Sequence, residues 1–242
     1  MATTAYQDIG SDAGPLQHIW IGVDGAFNAR HVGNAGFQFS PENSELGDAG
    51  TFLAYSSIYS PSFGGHRYSN LGLGIPGMQD WDQHSQSAVV SANGMSRVVT
   101  MLQTLGDDLT LYIVDTYVHG QDCWRTDYIL QNNYTAELEV ILYRAANVFL
   151  NGTEDGYGVL RADGSVGVAA NADNNPPGNV LWFVPLVADE YFEGDPADLW
   201  DLLGDLSDLT NTIVVTDGDA ALALTWGLTL PAESLVVRSC LT

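Results

Sequence analysis

Residues 109–160 read LTLYIVDTYVHGQDCWRTDYILQNNYTAELEVILYRAANVFLNGTEDGYGVL, and the order of residue types in this stretch decides the fold class. The first run, 109–118, is rich in β-branched and aromatic residues and holds neither glycine nor proline, the composition of a strand. His119, Gly120, Gln121 and Asp122 have the makings of a tight connection, and a second strand-like run follows over 124–131. Asn132 and Asn133 turn the chain again. Over 136–143, Ala136, Leu138, Val140 and Leu142 fall on one face while Glu137 and Glu139 fall on the other. That period of two belongs to a strand with one dry side. The stretch therefore predicts a meander of antiparallel strands with one wet face, closed by a glycine-punctuated acidic loop.

Working outward, Leu16 opens a first strand that ends at Asp24-Gly25, a strong turn dipeptide. Short strands follow near Phe27 and Phe37, and another over 51–58. From 60 to 83 the chain turns irregular, with two prolines and five glycines, and a long loop is predicted there. Strands resume on either side of Asn93-Gly94, a hairpin signal. In the second half, strands are predicted over 165–169, 180–187 and 234–241. The cleanest pattern lies over 220–230, where Ala220, Leu222, Leu224, Trp226, Leu228 and Leu230 alternate with small or polar residues. One helix interrupts the strands. Asp195 can cap it, Pro196 fits its first position, and Leu199, Leu202, Leu203, Leu206 and Leu209 form a stripe at helical spacing. The expected fold is all-β: a large antiparallel β-sandwich (supersandwich-like) with one short helix near residues 195–209. Its expected organisation is an N-terminal arm over 1–14 and a single β-sandwich domain over 15–242.

The 242 residues carry 30 Asp and Glu against seven basic residues, all Arg, for a formal charge of −23. Polyphosphates and anionic lipids are held by basic neutralisation, so nucleic acid is not an expected partner. No apolar run reaches the roughly 20 residues that span a bilayer, which argues against membrane insertion. A lysine-free, aspartate-heavy chain resembles the proteins of extreme halophiles, whose carboxylates are screened in concentrated salt. The N-terminal MATTAYQDIGSDAGPLQHIW has neither a basic nor an apolar leader region, so no export signal is expected. Cys123 and Cys240 form no metal-type pair; each is expected to fill a sheet position, with a disulfide between them open.

At DTYVHGQDCWRTDY with the following NN, at LYRAANVFLNGTEDGYG, at NNPPGNVLWFVPL and at the closing DGDAALALTWGLTLPAESLVVRSCLT, the chain resembles a recurring β-sandwich unit. That unit belongs to surface and secreted proteins of high-GC bacteria and haloarchaea and is similar to galactose-mutarotase-like sandwiches. The likeness covers roughly 85–242. It implies a sandwich fold and an association with carbohydrate-processing or adhesive proteins. Sugar-converting relatives would use a His acid and a Glu base, and here His119 with nearby Asp122 would be the participants.

The residues themselves offer no catalytic constellation: no HExxH, nucleophile elbow, P-loop or dinucleotide fingerprint is present. An enzyme is not expected. Tyr68, Trp81 and Trp124 could stack on a sugar ring or enter a neighbouring subunit, and with His119 and Asp122 they make the candidate ligand-binding set. Glu154-Asp155, Asp173-Asn174-Asn175 and Asp217-Gly218-Asp219 could supply oxygen ligands to Ca²⁺, although turn Asp and Asn usually satisfy local backbone. No other cofactor is expected. The leading expectation is a structural protein of a virus particle, a capsid decoration, turret or tail component acting through contacts with itself or other virion proteins. The alternative is a carbohydrate-binding or adhesive module that recognises a cell-surface glycan, and its place would be extracellular or at the cell surface rather than in a virion.

Overall fold

A computed structural model describes residues 5–33, 36–41, 44–57, 60–67, 75, 78–170 and 179–242. Its strands build three sheets. The smallest joins β1 (Tyr6–Asp8), β2 (Leu16–Gly22) and β3 (Phe27–His31). A six-stranded sheet contains β4 (Ala49–Ser57), β5 (Ser60–Arg67), β6 (Met78–Asp80), β12 (Leu138–Asn147), β16 (Glu190–Gly194) and β18 (Ala221–Leu230), in the order β16-β18-β12-β4-β5-β6. The largest sheet has ten strands. They are β7 (Gln83–Gln86), β8 (Val90–Ala92), β9 (Met95–Gln103), β10 (Leu109–Val118), β11 (Trp124–Asn132), β13 (Asp155–Leu160), β14 (Val166–Ala169), β15 (Val180–Pro185), β17 (Gly218–Asp219) and β19 (Leu235–Leu241). Their order is β17-β13-β14-β15-β19-β11-β10-β9-β7, with β8 also on β9. Only β5 and β6 pair in parallel among the described strands. The fold is the expected all-β antiparallel sandwich.

One buried cluster joins the two large sheets: Leu138, Val140 and Trp226 from one pack with Leu111, Ile113 and Tyr128 from the other. The Trp226 and Tyr128 rings lie 5.7 Å apart. The alternation read over 220–230 holds, since Leu222, Leu224, Trp226, Leu228 and Leu230 all enter this core. The opposite face is not wet along its first half. Ala221 and Ala223 are buried in a second cluster with Phe52, Tyr143, Leu199, Trp200 and Leu203. Small residues on that side let a helix lie close.

That helix, α1 (Pro196–Gly204), covers the back of the six-stranded sheet. The Asp195 side chain accepts from the Ala197 N–H at 2.8 Å, as a capping residue should. The C-terminus falls earlier than the leucine stripe predicts. Leu206 sits at φ 55°, its N–H donates to the Leu203 carbonyl, and the Ser207 N–H donates to the Leu202 carbonyl. That is a Schellman closure with leucine where glycine is usual.

Other expectations need correction. The third strand of the predicted meander does not stay beside the second: β10 and β11 pair in the ten-stranded sheet, while β12 crosses to pair with β4 and β18. Asn132, 1% exposed, makes that corner. Its Nδ2 donates to the carbonyls of Ala136, Leu230 and Pro231, and its Oδ1 accepts from the Tyr134 N–H. The irregular loop predicted over 60–83 includes strands β5, β6 and the first residue of β7; 68–74 and 76–77 lie outside the described residues. The acidic loop ending the central stretch is partly strand β13. There a Cβ on Gly158 would lie 2.0 Å from Glu193 Oε2, so only glycine admits the carboxylate. Within the expected arm, β1 pairs with β2 and Ile9 is fully buried. Both cysteines are free, Cys240 in the core and Cys123 half-buried. No helix among the described residues is long and apolar enough to cross a membrane.

A charged group sits inside the sandwich. Arg144, 1% exposed, donates to the Tyr128 hydroxyl at 2.9 Å and to Thr242 Oγ1 at 2.7 and 3.0 Å. Its guanidinium carbon stands 4.0 Å from the Phe27 ring centre and 5.6 Å from that of Trp124. Buried Asp115 accepts from Thr126 at 2.6 Å. Burial pushes the Asp115 carboxyl up, against the pull of Arg144 and of the hydrogen bond from Thr126.

Candidate functional site

Where β11, β15 and the end of β19 meet the three-stranded sheet, the surface opens into a cleft of about 460 Å³, within the range of small-molecule sites. The strands bring its walls together. Strand β3 contributes His31, β15 contributes Leu181 and Trp182, and β11 begins at Trp124 just after Asp122 and Cys123. The chain beyond β3 adds Gln38.

Gln38 is the unusual member. Its backbone is fixed on both sides, the N–H donating to the Ala29 carbonyl and the carbonyl accepting from Phe149, each at 2.9 Å. The residue is only 8% exposed and lines the cleft, and its buried Nε2 has no hydrogen-bond partner among the described residues. A buried amide without a partner is costly, and such groups are rare enough in folded proteins to require a reason.

The rim is polar. His31 Nδ1 accepts from the Gly33 N–H at 3.0 Å, which leaves the ring proton on Nε2 to be donated to Asp122 Oδ1 at 3.3 Å. The Asp122 side chain is 82% exposed. Asn179 Nδ2 donates to Asn151 Oδ1 at 2.5 Å. Burial and the neighbouring Asp122 push the Cys123 thiol up, away from the thiolate a nucleophile needs. Trp182 is half-buried over Gly167, where a Cβ would meet its ring at 2.7 Å, and the exposed Arg161 guanidinium stands 4.0 Å from its centre. Among the described lining residues Asp122 is the one carboxylate, and no Lys or Arg is present.

Of the predicted site residues, the structure brings Asp122 and Trp124 together here, Trp124 as a buried wall. His119 is elsewhere: its Nε2 meets Ser96 Oγ at 2.8 Å, and the carboxylate expected beside it faces His31. Trp81, 5% exposed, belongs to the main core and offers no stacking surface. Tyr68 lies outside the described residues. Sequence reasoning missed His31, Gln38 and Trp182. For Trp182 a signal existed, since alternation over 180–185 puts it opposite the buried Leu181 and Phe183.

Two predicted acidic stretches do meet, Asp155 opposite Asp219 on β13 and β17. Nearby, Ser40 Oγ donates to Glu154 Oε1 at 2.5 Å, and burial together with Glu154 raises Asp48 to about 6. Among the described residues no three groups are placed to hold a metal ion; Asp173, Asn174 and Asn175 lie outside them.

The chain matches no protein-family model and no curated protein. Some solved structures are similar to it. One is a GH36 alpha-galactosidase from Geobacillus stearothermophilus in complex with stachyose, with a TM-score of 0.47 and 8% identity over 98% of this chain. Another, described as a kojibiose phosphorylase from the human microbiome, has a TM-score of 0.41 and 9% identity over 91% of this chain. The chain spans 40% and 29% of the lengths of those two proteins. The expectation of a virus-particle component is corrected here. These two solved structures are carbohydrate-active enzymes and not particle proteins.

Proposed function

We propose that the chain is a non-catalytic carbohydrate-binding module that holds a saccharide in the cleft beside Gln38, Asp122 and Trp182. The observation that carries this reading is a cleft with aromatic walls and a polar rim whose lining includes Gln38, with a nearly buried amide that has no partner among the described residues. Saccharides combine hydroxyls that donate and accept with apolar C–H faces that lie on aromatic rings, and this lining offers a counterpart to each. The non-catalytic part rests on the carboxylates. Glycoside hydrolysis ordinarily needs two flanking the scissile bond, whereas the described lining has Asp122 alone. A glycan microarray probed with the full chain tests the reading. Binding to a defined set of glycans, lost in Trp182→Ala, is the expected result; silence across the array overturns it.

A further inference from the structure

The charge around the cleft narrows the ligand further. The chain as a whole is at −23, and the described lining has an exposed carboxylate and no Lys or Arg. Two guanidinium groups come near it: that of Arg144 is buried, donates to the lining Thr242 and has Asp115 as a counter-charge, and that of Arg161 is stacked on Trp182. Gln38, which lines the same cleft as Asp122, brings a neutral amide whose Nε2 is buried and without a partner among the described residues. A sugar hydroxyl can accept from Gln38 while another on the same ring donates to Asp122. A carboxylate or sulfate presents acceptors only, and would bring a second negative charge to a carboxylate with no Lys or Arg in the described lining to offset it.

Resting on the saccharide reading of this cleft, we infer that its ligand is an uncharged sugar unit, oriented by Gln38 and Asp122 and selected against uronic and sulfated sugars by charge. The sugar ring lies on Trp182, where it takes the place of the Arg161 guanidinium, a weak contact at an exposed site.

Calorimetry on the full chain with lactose, maltose and cellobiose, each beside its counterpart oxidised to the carboxylate at the terminal C6, tests this. A neutral sugar is expected to bind at least tenfold more tightly than its oxidised partner, with the gap narrowing in molar salt. Gln38→Leu is expected to lose at least tenfold in affinity with its melting temperature kept. Cys123 reports location: it lines the cleft, so a bound sugar should slow its alkylation, with fully buried Cys240 as the internal control. Equal or tighter binding of the oxidised sugars overturns the charge inference and leaves the saccharide site standing. Binding without protection of Cys123 and without effect of Gln38→Leu overturns this cleft as the site. Silence of both series overturns the inference and the saccharide reading together.

Discussion

Asp122 and His31 lie 91 residues apart in sequence and meet at the cleft rim, His31 Nε2 donating to Asp122 Oδ1 at 3.3 Å. The pair is exposed, so its contribution to stability is small, about 0–1 kcal/mol; its consequence is the charge it sets at the cleft mouth. Asp122→Asn keeps an acceptor for His31 and removes that charge. The expected outcome is a change in unfolding free energy below about 0.5 kcal/mol. The preference for neutral over carboxylated sugars should shrink several-fold in the same variant, as read by paired titrations.

Glu193 fixes the direction of one pH dependence. The carboxylate is 1% exposed and accepts from the Val214 N–H at 2.7 Å, yet burial raises it from 4.5 to about 7. Below about 4.5 the carboxyl is protonated in both folded and unfolded chains. Between there and about 7 it ionises in the unfolded chain first, so stability falls as pH rises and levels off above 7. Asp48, raised to about 6, acts in the same direction. Glu193→Gln should gain stability relative to wild type on going from pH 4.5 to 8, by on the order of 2–3 kcal/mol. Urea unfolding at a series of pH values checks this, and parallel curves for the two proteins would contradict it.

Arg144→Met tests the buried cation. The methionine fills part of the volume, but Asp115 loses the charge that holds its carboxyl down and Tyr128 loses a donor. A cost of about 3–5 kcal/mol is expected, because a buried charge is left uncompensated. Adding Asp115→Asn should recover part of that loss. Equal unfolding midpoints for wild type and Arg144→Met would show that the cation is dispensable.

Asn132→Ala tests the corner between the sheets. It removes the donor shared by three carbonyls and the acceptor of the Tyr134 N–H. With about 1–3 kcal/mol for each polar group left buried and unpaired, a loss of at least 3 kcal/mol is expected in denaturant unfolding.

What the sequence made legible follows from the range of each signal. The strands of the central stretch, the Asn93-Gly94 turn (φ 53° and 72°) and the Asp195 cap are local, and each stands where residue type and spacing put it. The departure of β12 to the second sheet is not local. It depends on Asn132 reaching Leu230, 98 residues away, and a pattern of period two is the same whichever sheet receives the strand. Strand β13 was hidden by its glycines: Gly158 admits Glu193, a residue of another strand, and Gly156 admits Val168. The helix end was hidden because leucine occupies the left-handed position. In the cleft, Trp124 and Asp122 adjoin a strand start in one local stretch, whereas Gln38 and His31 enter it only through tertiary packing.

The central claim is that a saccharide occupies the cleft and satisfies Gln38. A crystal structure of the chain grown with the tightest-binding neutral sugar tests it most directly. The expected result is a hydroxyl within hydrogen-bond distance of Gln38 Nε2, a second at Asp122, and a sugar ring on Trp182 with Arg161 turned away. A sugar bound elsewhere, with the Gln38 amide still unpartnered, would contradict the account.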